Sequence, residues 1–495
     1  MSRSHLLSFC AGFLALGIEI VWMRLFAMSF HGNAYVTAFV LGFFLLGLAI
    51  GVAWYRRGLH GRTPTPLQAQ RDAATWLIRS GLIDLALGLG YLWLDADGVA
   101  RTVAGAGLIL LSAASKGAIL TALADAPPPE RRHGQWAGQV MAANIAGATL
   151  GPLITCYVLF DLLSWQHSLQ MLATLSVLIG VWALPQRAVP AWTALVLALA
   201  SFALPGQLLH RILDTGYMGQ AAIAEVVETR HGVFHRVHDA ERGDVILGGN
   251  LYDGRINLDP ATDTNGISRI YRAMASMPRT ERVLMIGLGS GSWLEVIRHF
   301  PDVQEIQVVE LADAYATLMR NIPEVAGALD DPRIRYAYTD GRRWLHRHPE
   351  AQYDLIVLNT TFYWRAFATN LLSQEFFESL RRHLREGGSV MLNTTESKDA
   401  VSTFLAVYPQ AVSLGGTLLA PYTAPADPAA HRRARLFALG PLSERFIERH
   451  GRDWWEQLAA RDFDPLPEGS GRIITEDNLL TEFSVYRPMS APHFD

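Results

Sequence analysis

The first 209 residues hold only 20 of the chain's 88 Asp, Glu, Lys and Arg side chains, and that scarcity limits what they can fold into. A stretch so poor in charge cannot give each helix a water-facing side, so it needs an apolar solvent. Seven apolar segments stand out, at 5–29, 34–55, 75–94, 99–122, 137–160, 166–184 and 190–209. Each is near the roughly 20 residues that cross a bilayer core as a helix. Residues 1–209 therefore read as a multi-pass α-helical membrane domain of about seven helices. The first segment is too long for a cleaved signal peptide, and Glu19 and Arg24 sit too deep in it. Gly42, Gly47 and Gly51 in the second segment, and Gly147 and Gly151 in the fifth, allow close helix approach.

Charge in the loops sets an orientation. Arg56, Arg57, Arg62 and Arg71 follow the second segment, Arg131 and Arg132 the fourth, and Arg187 the sixth. The positive-inside rule puts the N-terminus in the cytoplasm, and seven crossings would leave everything after residue 209 outside. The ligand deduced below is cytosolic, so the two inferences conflict. A re-entrant or split segment, or a hidden eighth, would reconcile them. The ligand argument has the greater weight and places the soluble domain in the cytoplasm. Glu19, Arg24 and Lys116 are charges within the apolar segments. They form a polar site or substrate path, or else Arg24 snorkels and Glu19 pairs with a basic group; both readings are open. Cys10 and Cys156 lie in apolar stretches without metal spacing or a disulfide framework, and read as packing residues.

After residue 209 the composition changes. The remaining 68 charged side chains lie there with a net charge of −8, against +4 before it. An acidic soluble half argues against nucleic acid as a partner. Residues 210–275 read as a linker and small β-rich domain, with β-branched runs at 225–229, 233–237 and 244–247. Residues 276–495 read as a Rossmann-like α/β domain with a C-terminal extension. Strands are expected at 282–286, 306–310, 334–338, 353–359 and 389–393, separated by helical stretches. Such alternation implies a parallel, doubly wound sheet that binds its ligand at the carboxyl ends of the strands. The extension, with Trp454-Trp455 and Thr475-Glu-Asp-Asn-Leu-Leu, is expected to pack on that sheet.

The strand ends carry the chemistry. Gly287, Gly289 and Gly291 in Gly287-Leu-Gly-Ser-Gly-Ser-Trp let the backbone turn tightly and approach a ligand. No Lys-Ser/Thr follows them, so a phosphate-cradling loop is excluded. Glu310 ends the second strand, where an acid holds a ribose diol. Asp340, followed by Gly341, ends the third, where an acid accepts from an adenine amino group. Adenosine without phosphate handling points to S-adenosylmethionine (SAM) or its decarboxylated form as substrate. No zinc signature or hydrolase elbow occurs, and no metal is expected.

The stretch from about 225 to 400 resembles spermidine synthase, an aminopropyltransferase. The β-rich prelude, the Gly-rich turn, Glu310, Asp340-Gly341 and the fourth-strand end fall in that family's order. The whole chain resembles bacterial integral-membrane, spermidine synthase-like fusion proteins, with Glu19-Ile-Val-Trp-Met-Arg24 and Ala143-Asn-Ile-Ala-Gly147 in the membrane half. The resemblance implies a bacterial inner-membrane protein, in contact with lipid, with a small-molecule substrate and a possible homodimer.

Departures from the family bear on the reaction. The family's Gly-rich turn carries an Asp that binds the amine of decarboxylated SAM; here Ser290 stands there. The family's fourth strand ends in acids that position and deprotonate a polyamine; here the run is Asn359-Thr-Thr-Phe-Tyr363. The family's Tyr-His-Glu is missing from Asp263-Thr-Asn-Gly-Ile-Ser-Arg269. A polycation needs carboxylates to hold it, and its attacking amine needs a base. Arg365 could instead pair with the carboxylate of intact SAM.

The expected reaction is therefore a SAM lyase step. The SAM carboxylate attacks its own Cγ, giving homoserine lactone and 5′-methylthioadenosine, with no general base. Asn359 and Thr360 could hydrogen-bond the methionine tail. Tyr252, Tyr363 and Trp364 could face the sulfonium, or simply pack. Asp253 and Asn265 are placed at the pocket mouth. Aminopropyl transfer from decarboxylated SAM to a polyamine is the first alternative, with Glu396 or Asp253 replacing the missing acids. Methyl transfer and a non-enzymatic SAM-binding sensor or transporter are the others.

Overall fold

The computed structural model describes residues 2–60, 63–94, 98–184, 189–216, 218–219 and 222–483. The chain divides into two compact units. One runs to Leu213 and takes in Glu228–Gly232; the other comprises Asp214–Val227 and the residues from Val233 on.

The first unit is helical. Its long helices are α1 (Arg3–Ser29), α2 (Tyr35–Gly58), α3 (Pro66–Tyr91), α4 (Gly98–Ala124) and α5 (His133–Ile154). A π-helical turn, Thr155–Leu159, continues α5. Shorter helices follow at Trp165–Ala183 and Val189–Ala200. Five helices among the described residues are long and apolar enough to cross a membrane, where the sequence suggested seven. The helix Trp165–Ala183 carries Gln166, His167, Ser168 and Gln170 in its first turns, which lowers its hydropathy. The helix Val189–Ala200 continues through a 3-10 turn, Ser201–Ala203, and directly follows residues 185–188, which lie outside the described residues, so its full length is not set by these bounds.

Small residues set the packing of these helices. A Cβ on Gly147 would meet the Phe9 carbonyl oxygen at 1.9 Å, so α5 lies directly against the α1 backbone. Gly47 and Gly51 bring α2 equally close to Leu110 and Ala114 of α4. Gly42 meets nothing within 4 Å and takes no part. Lys116 pairs with Asp84, a buried acid that the sequence reading passed over. Arg24 lies over the Phe160 ring, 3.6 Å from its centroid, and Glu19 is not its partner.

The second unit holds two sheets. The first is antiparallel, in the order β1 (Ile223–Thr229), β2 (Gly232–Val237), β3 (Val245–Gly248) and β4 (Leu251–Arg255). The second has seven strands in the order β10-β11-β9-β8-β5-β6-β7. Five of them are parallel: β5 (Arg282–Ile286), β6 (Glu305–Glu310), β7 (Ile334–Tyr338), β8 (Tyr353–Leu358) and β9 (Leu384–Asn393). The central strands β5 and β8 have continuous apolar runs because both their faces are covered, whereas the edge strand β7 exposes Arg335 and Tyr338. Val283 and Met285 enter one core and Leu284 and Ile286 the other, as the two-residue strand period requires.

The expectation of an all-parallel sheet fails at one edge. β10 (Val412–Ser413) and β11 (Thr417–Ala420) pair antiparallel beside β9. Gly415 and Gly416, both at positive φ, make the two-residue turn that joins them. The strand order reverses between β5 and β8, which opens a crevice above their carboxyl ends.

Candidate functional site at the carboxyl ends of the strands

Backbone hydrogen bonds hold four strand ends together. Gly287 N–H donates to Val309 and Asn359 N–H to Ile286, both at 2.9 Å, and Thr339 N–H donates to Glu310 at 2.8 Å. The turn after β5 runs into the helix Ser292–Arg298. Gly287 has φ +91°, and a Cβ there would sit 2.1 Å from the Asn359 carbonyl oxygen. Gly289 has φ +55°, and its Cβ would meet the Asp253 carbonyl oxygen at 2.7 Å. The turn is thus wedged between the end of β8 and strand β4. Gly291 follows as the residue before the helix.

Glu310 is 8% exposed. Its Oε2 accepts from Leu288 N–H at 2.8 Å and its Oε1 from Ala312 N–H at 3.1 Å. Each oxygen keeps a second lone pair for a ligand hydroxyl. Burial raises its pKa, the two N–H donors oppose that, and the Asp253 charge reinforces it. Asp340 caps the helix Gly341–Arg347 by accepting from Arg343 N–H at 2.8 Å, while Gly341 packs on Ile286. Ser290 is buried, and its hydroxyl donates to Ser292 at 3.1 Å, within the turn.

The end of β8 offers hydrogen-bonding groups without a carboxylate. Asn359 Oδ1 accepts from Asn393 Nδ2 at 3.4 Å. Thr360 Oγ1 is buried without a protein partner. Trp364 is buried and stacks on Phe362 at 5.6 Å. Tyr363 packs against the core that contains Leu358 and Phe376. Both aromatic rings are thus held by packing.

Four polar side chains meet beside the Gly-rich turn. Tyr315 donates to Asp253 Oδ2 at 2.5 Å, Thr361 donates to Asp253 Oδ1 at 3.3 Å, and Arg365 Nη1 lies 3.3 and 3.4 Å from the two carboxylate oxygens. Burial works against the Arg365 charge, but Asp253 and Tyr315 outweigh it and hold its pKa above the usual value. Burial, then Asp253, pushes Tyr315 well up. The sequence reading placed Asp253 at a pocket mouth. Its side chain is 6% exposed and forms the centre of this cluster.

Tyr252 and Asn265 lie on the other side of β4. The Tyr252 hydroxyl donates to Asn265 Oδ1 at 3.1 Å, and burial pushes Tyr252 up to about 12. Asn265 donates in turn to the Arg255 carbonyl at 3.2 Å. Sequence reasoning missed Tyr315, Thr361, Arg269 and Asn393. Thr361 was legible inside Asn359-Thr-Thr, but nothing local marks the others. Arg269 donates to Thr417 at 3.2 Å and to two backbone carbonyls, and lies over the Trp293 ring. Glu396, the other candidate substitute acid, lines a cleft of about 460 Å³ with Lys398, Asp464 and Glu468, beside the end of β9. No His, Cys, Asp and Glu group among the described residues could hold a metal ion.

Residues 271–405 match the family model of the spermine/spermidine synthase domain. The chain is 33% identical over 120 residues to a polyamine aminopropyltransferase of Streptococcus uberis, which is 24% of this chain and 41% of that protein. It is 32% identical over 142 residues to one of Korarchaeum cryptofilum, 28% of this chain and 43% of that protein. The chain thus spans about two fifths of the length of these curated relatives. Among solved structures, a spermidine synthase in complex with the transition state analogue AdoDATO superposes with a TM-score of 0.35 at 14% identity, over 54% of this chain and 86% of that one. Human methyltransferase-like protein 13 in complex with SAH gives a TM-score of 0.26 at 18% identity, over 37% and 90%. Residues 271–405 are thus similar to the spermine/spermidine synthase domain, and an apolar helical unit precedes them in the chain.

Proposed function

We propose that the second unit is an aminopropyltransferase-type enzyme. It holds an adenosyl sulfonium over the ends of β5, β6 and β7 and directs a nucleophile at Cγ of the chain on sulfur. The new bond forms at Cγ, the S–Cγ bond breaks, and its electron pair returns to sulfur, so that 5′-methylthioadenosine leaves uncharged at sulfur. An attacking amine gives up one proton in the process. The observation that carries this reading is the convergence of the Gly-rich turn, Glu310 and the β8 end within the stretch that matches the spermine/spermidine synthase domain.

One observation favours a second reading. Asn359, Thr360 and Thr361 carry no carboxylate, and the nearby Asp253 is already paired with Arg365. No evident base serves an outside amine there. The carboxylate of intact SAM could then attack its own Cγ and close homoserine lactone with the same leaving group. No proton is exchanged in that step.

Mass spectrometry of the purified full chain separates the two. Decarboxylated SAM with putrescine giving 5′-methylthioadenosine and spermidine supports amine transfer. SAM alone giving 5′-methylthioadenosine and homoserine lactone supports the lyase. S-adenosylhomocysteine as the adenosyl product, or no turnover in either mixture, overturns both.

The helical unit supports a cytosolic site. Loop charge puts Arg56, Arg57, Arg131 and Arg132 on the N-terminal side, and a sixth crossing by the 19-residue helix Trp165–Ala183, less apolar than the five long helices, would return the chain to that side. The helix Val189–Ala200 would then stay in the interface. That arrangement would reconcile loop charge with a cytosolic ligand.

A further inference from the structure

Adenosyl sulfonium donors come with two kinds of tail. Decarboxylated SAM ends in an ammonium alone, whereas SAM ends in an α-ammonium and a carboxylate. A site for the first needs only an anion. A site for the second needs an anion and a cation a few ångströms apart.

Asp253 and Arg365 are such a pair, placed against the Gly-rich turn. Gly289 runs so close to Asp253 that a Cβ would lie 2.7 Å from its carbonyl oxygen, and Gly254 faces Ser290 in the same way at 3.0 Å. The pair is loose. Arg365 reaches the carboxylate through one nitrogen, at 3.3 and 3.4 Å, whereas the buried Arg255–Asp239 pair closes to 2.6 Å. The remaining Arg365 contacts, to Thr361 at 3.2 Å and to the Gly248 carbonyl at 3.3 Å, are also long. A guanidinium held this way retains the capacity for a two-pronged bond to a carboxylate. Tyr315 donates to Asp253 at 2.5 Å, so the carboxylate has an anchor besides Arg365, although Tyr315 also interacts with Arg365. Ser290 adds no negative charge and turns its hydroxyl to Ser292, so nothing there repels a donor carboxylate.

We propose that Asp253 and Arg365 read the two ends of an α-amino-carboxylate, Asp253 taking the ammonium and Arg365 the carboxylate, so that the donor is intact SAM. The group on sulfur is then the 3-amino-3-carboxypropyl chain. This inference rests on the sulfonium-site reading above.

Equilibrium binding tests it without turnover. The purified full chain in detergent is titrated with 5′-methylthioadenosine, which lacks the tail, with SAM and with decarboxylated SAM. SAM is expected to bind at least about tenfold more tightly than decarboxylated SAM, the worth of a charge-assisted hydrogen bond. Arg365→Gln is expected to bring SAM down to the affinity of decarboxylated SAM and to leave 5′-methylthioadenosine binding unchanged. Arg365→Lys, which keeps the charge but loses the fork, is expected to fall between them. Equal or tighter binding of decarboxylated SAM by the native chain overturns the inference and leaves the sulfonium site standing. Arg365→Gln weakening all three ligands alike also overturns it, because the residue would then be structural. Absence of 5′-methylthioadenosine binding by the native chain overturns both readings.

Discussion

Lys116 Nζ holds both carboxylate oxygens of Asp84 at 2.8 Å, in a place where each side chain is at most 4% exposed. Ser112 completes the group: its hydroxyl donates to Asp84 Oδ1 at 2.6 Å and accepts from Trp22 Nε1 at 3.0 Å. Helices α1, α3 and α4 are thereby joined through polar atoms that are all satisfied. Removing one partner leaves a bare charge in an apolar interior, which costs about 3–5 kcal/mol. Lys116→Met alone is expected to lower the thermal midpoint of the detergent-solubilised chain markedly. The double change Asp84→Leu, Lys116→Met is expected to recover most of that loss. A single variant as stable as the native chain would mean the pair contributes nothing.

The Gly-rich turn gives a sharper test of the nucleoside site. Gly287→Ala places a methyl group 2.1 Å from the Asn359 carbonyl oxygen, at a φ of +91°. The turn and the β8 end must separate, with a strain of about 1–3 kcal/mol for the backbone alone. Binding of 5′-methylthioadenosine is expected to fall by about tenfold or more, given that strain. The secondary structure seen by circular dichroism should persist. Unchanged affinity would place the nucleoside elsewhere.

Glu310 makes the binding depend on pH. Its folded pKa is raised, by burial first. If Glu310 holds the ribose as proposed, its ionised form accepts the hydroxyls, and 5′-methylthioadenosine affinity should rise with pH through a midpoint above the usual glutamate range. Stability runs the other way. A group whose pKa is raised by folding contributes stability below its unfolded pKa and loses it as pH rises through the folded value. Glu310→Gln should flatten both profiles; binding titrations and denaturant melts across that window check the two signs.

The β8 end carries Asn359 and no carboxylate. Asn359→Asp introduces one that Asn393 already faces at 3.4 Å. Amine-dependent release of 5′-methylthioadenosine from decarboxylated SAM is expected to increase by about tenfold or more, the lower end of what a positioned base contributes. A variant no better than the native chain would mean that the acceptor is activated elsewhere, with Glu396 in the neighbouring cleft as the next residue to change.

Sidedness can be read with single cysteines in a Cys10→Ser, Cys156→Ser background. A cysteine at Asp125, after α4, and one at Gln207, after the helix Val189–Ala200, should be labelled from the same side by an impermeant maleimide. Labelling from opposite sides would mean an odd number of crossings, five or seven, before Gln207.

Much of this architecture is legible before any fold is known. Scarce charge marks the apolar helical unit, whose backbone groups are satisfied within its own helices, as a bilayer would require. The β5 and β8 runs are apolar on both faces and β6 on one, and the ends of β5 and β6 carry Gly287 and Glu310 next to the apolar stretch that defines them. The antiparallel edge is not read from the sequence, because the two-residue β10 is too short to show a period.

Two things depended on tertiary structure. One is which apolar segments are long and apolar enough to cross: the polar first turns of Trp165–Ala183 appear once helix bounds are set. The other is the company of each charge. Asp253, Tyr315 and Arg365 lie 62 and 112 residues apart along the chain when counted from Asp253, and Asp84 lies 32 from Lys116. Local propensity and strand period act over a few residues, so the sequence determined the elements, the Gly-rich turn and the acid that ends β6. Pairing between distant charges is decided by which elements the core brings together, and only the folded chain showed that Arg365 faces Asp253.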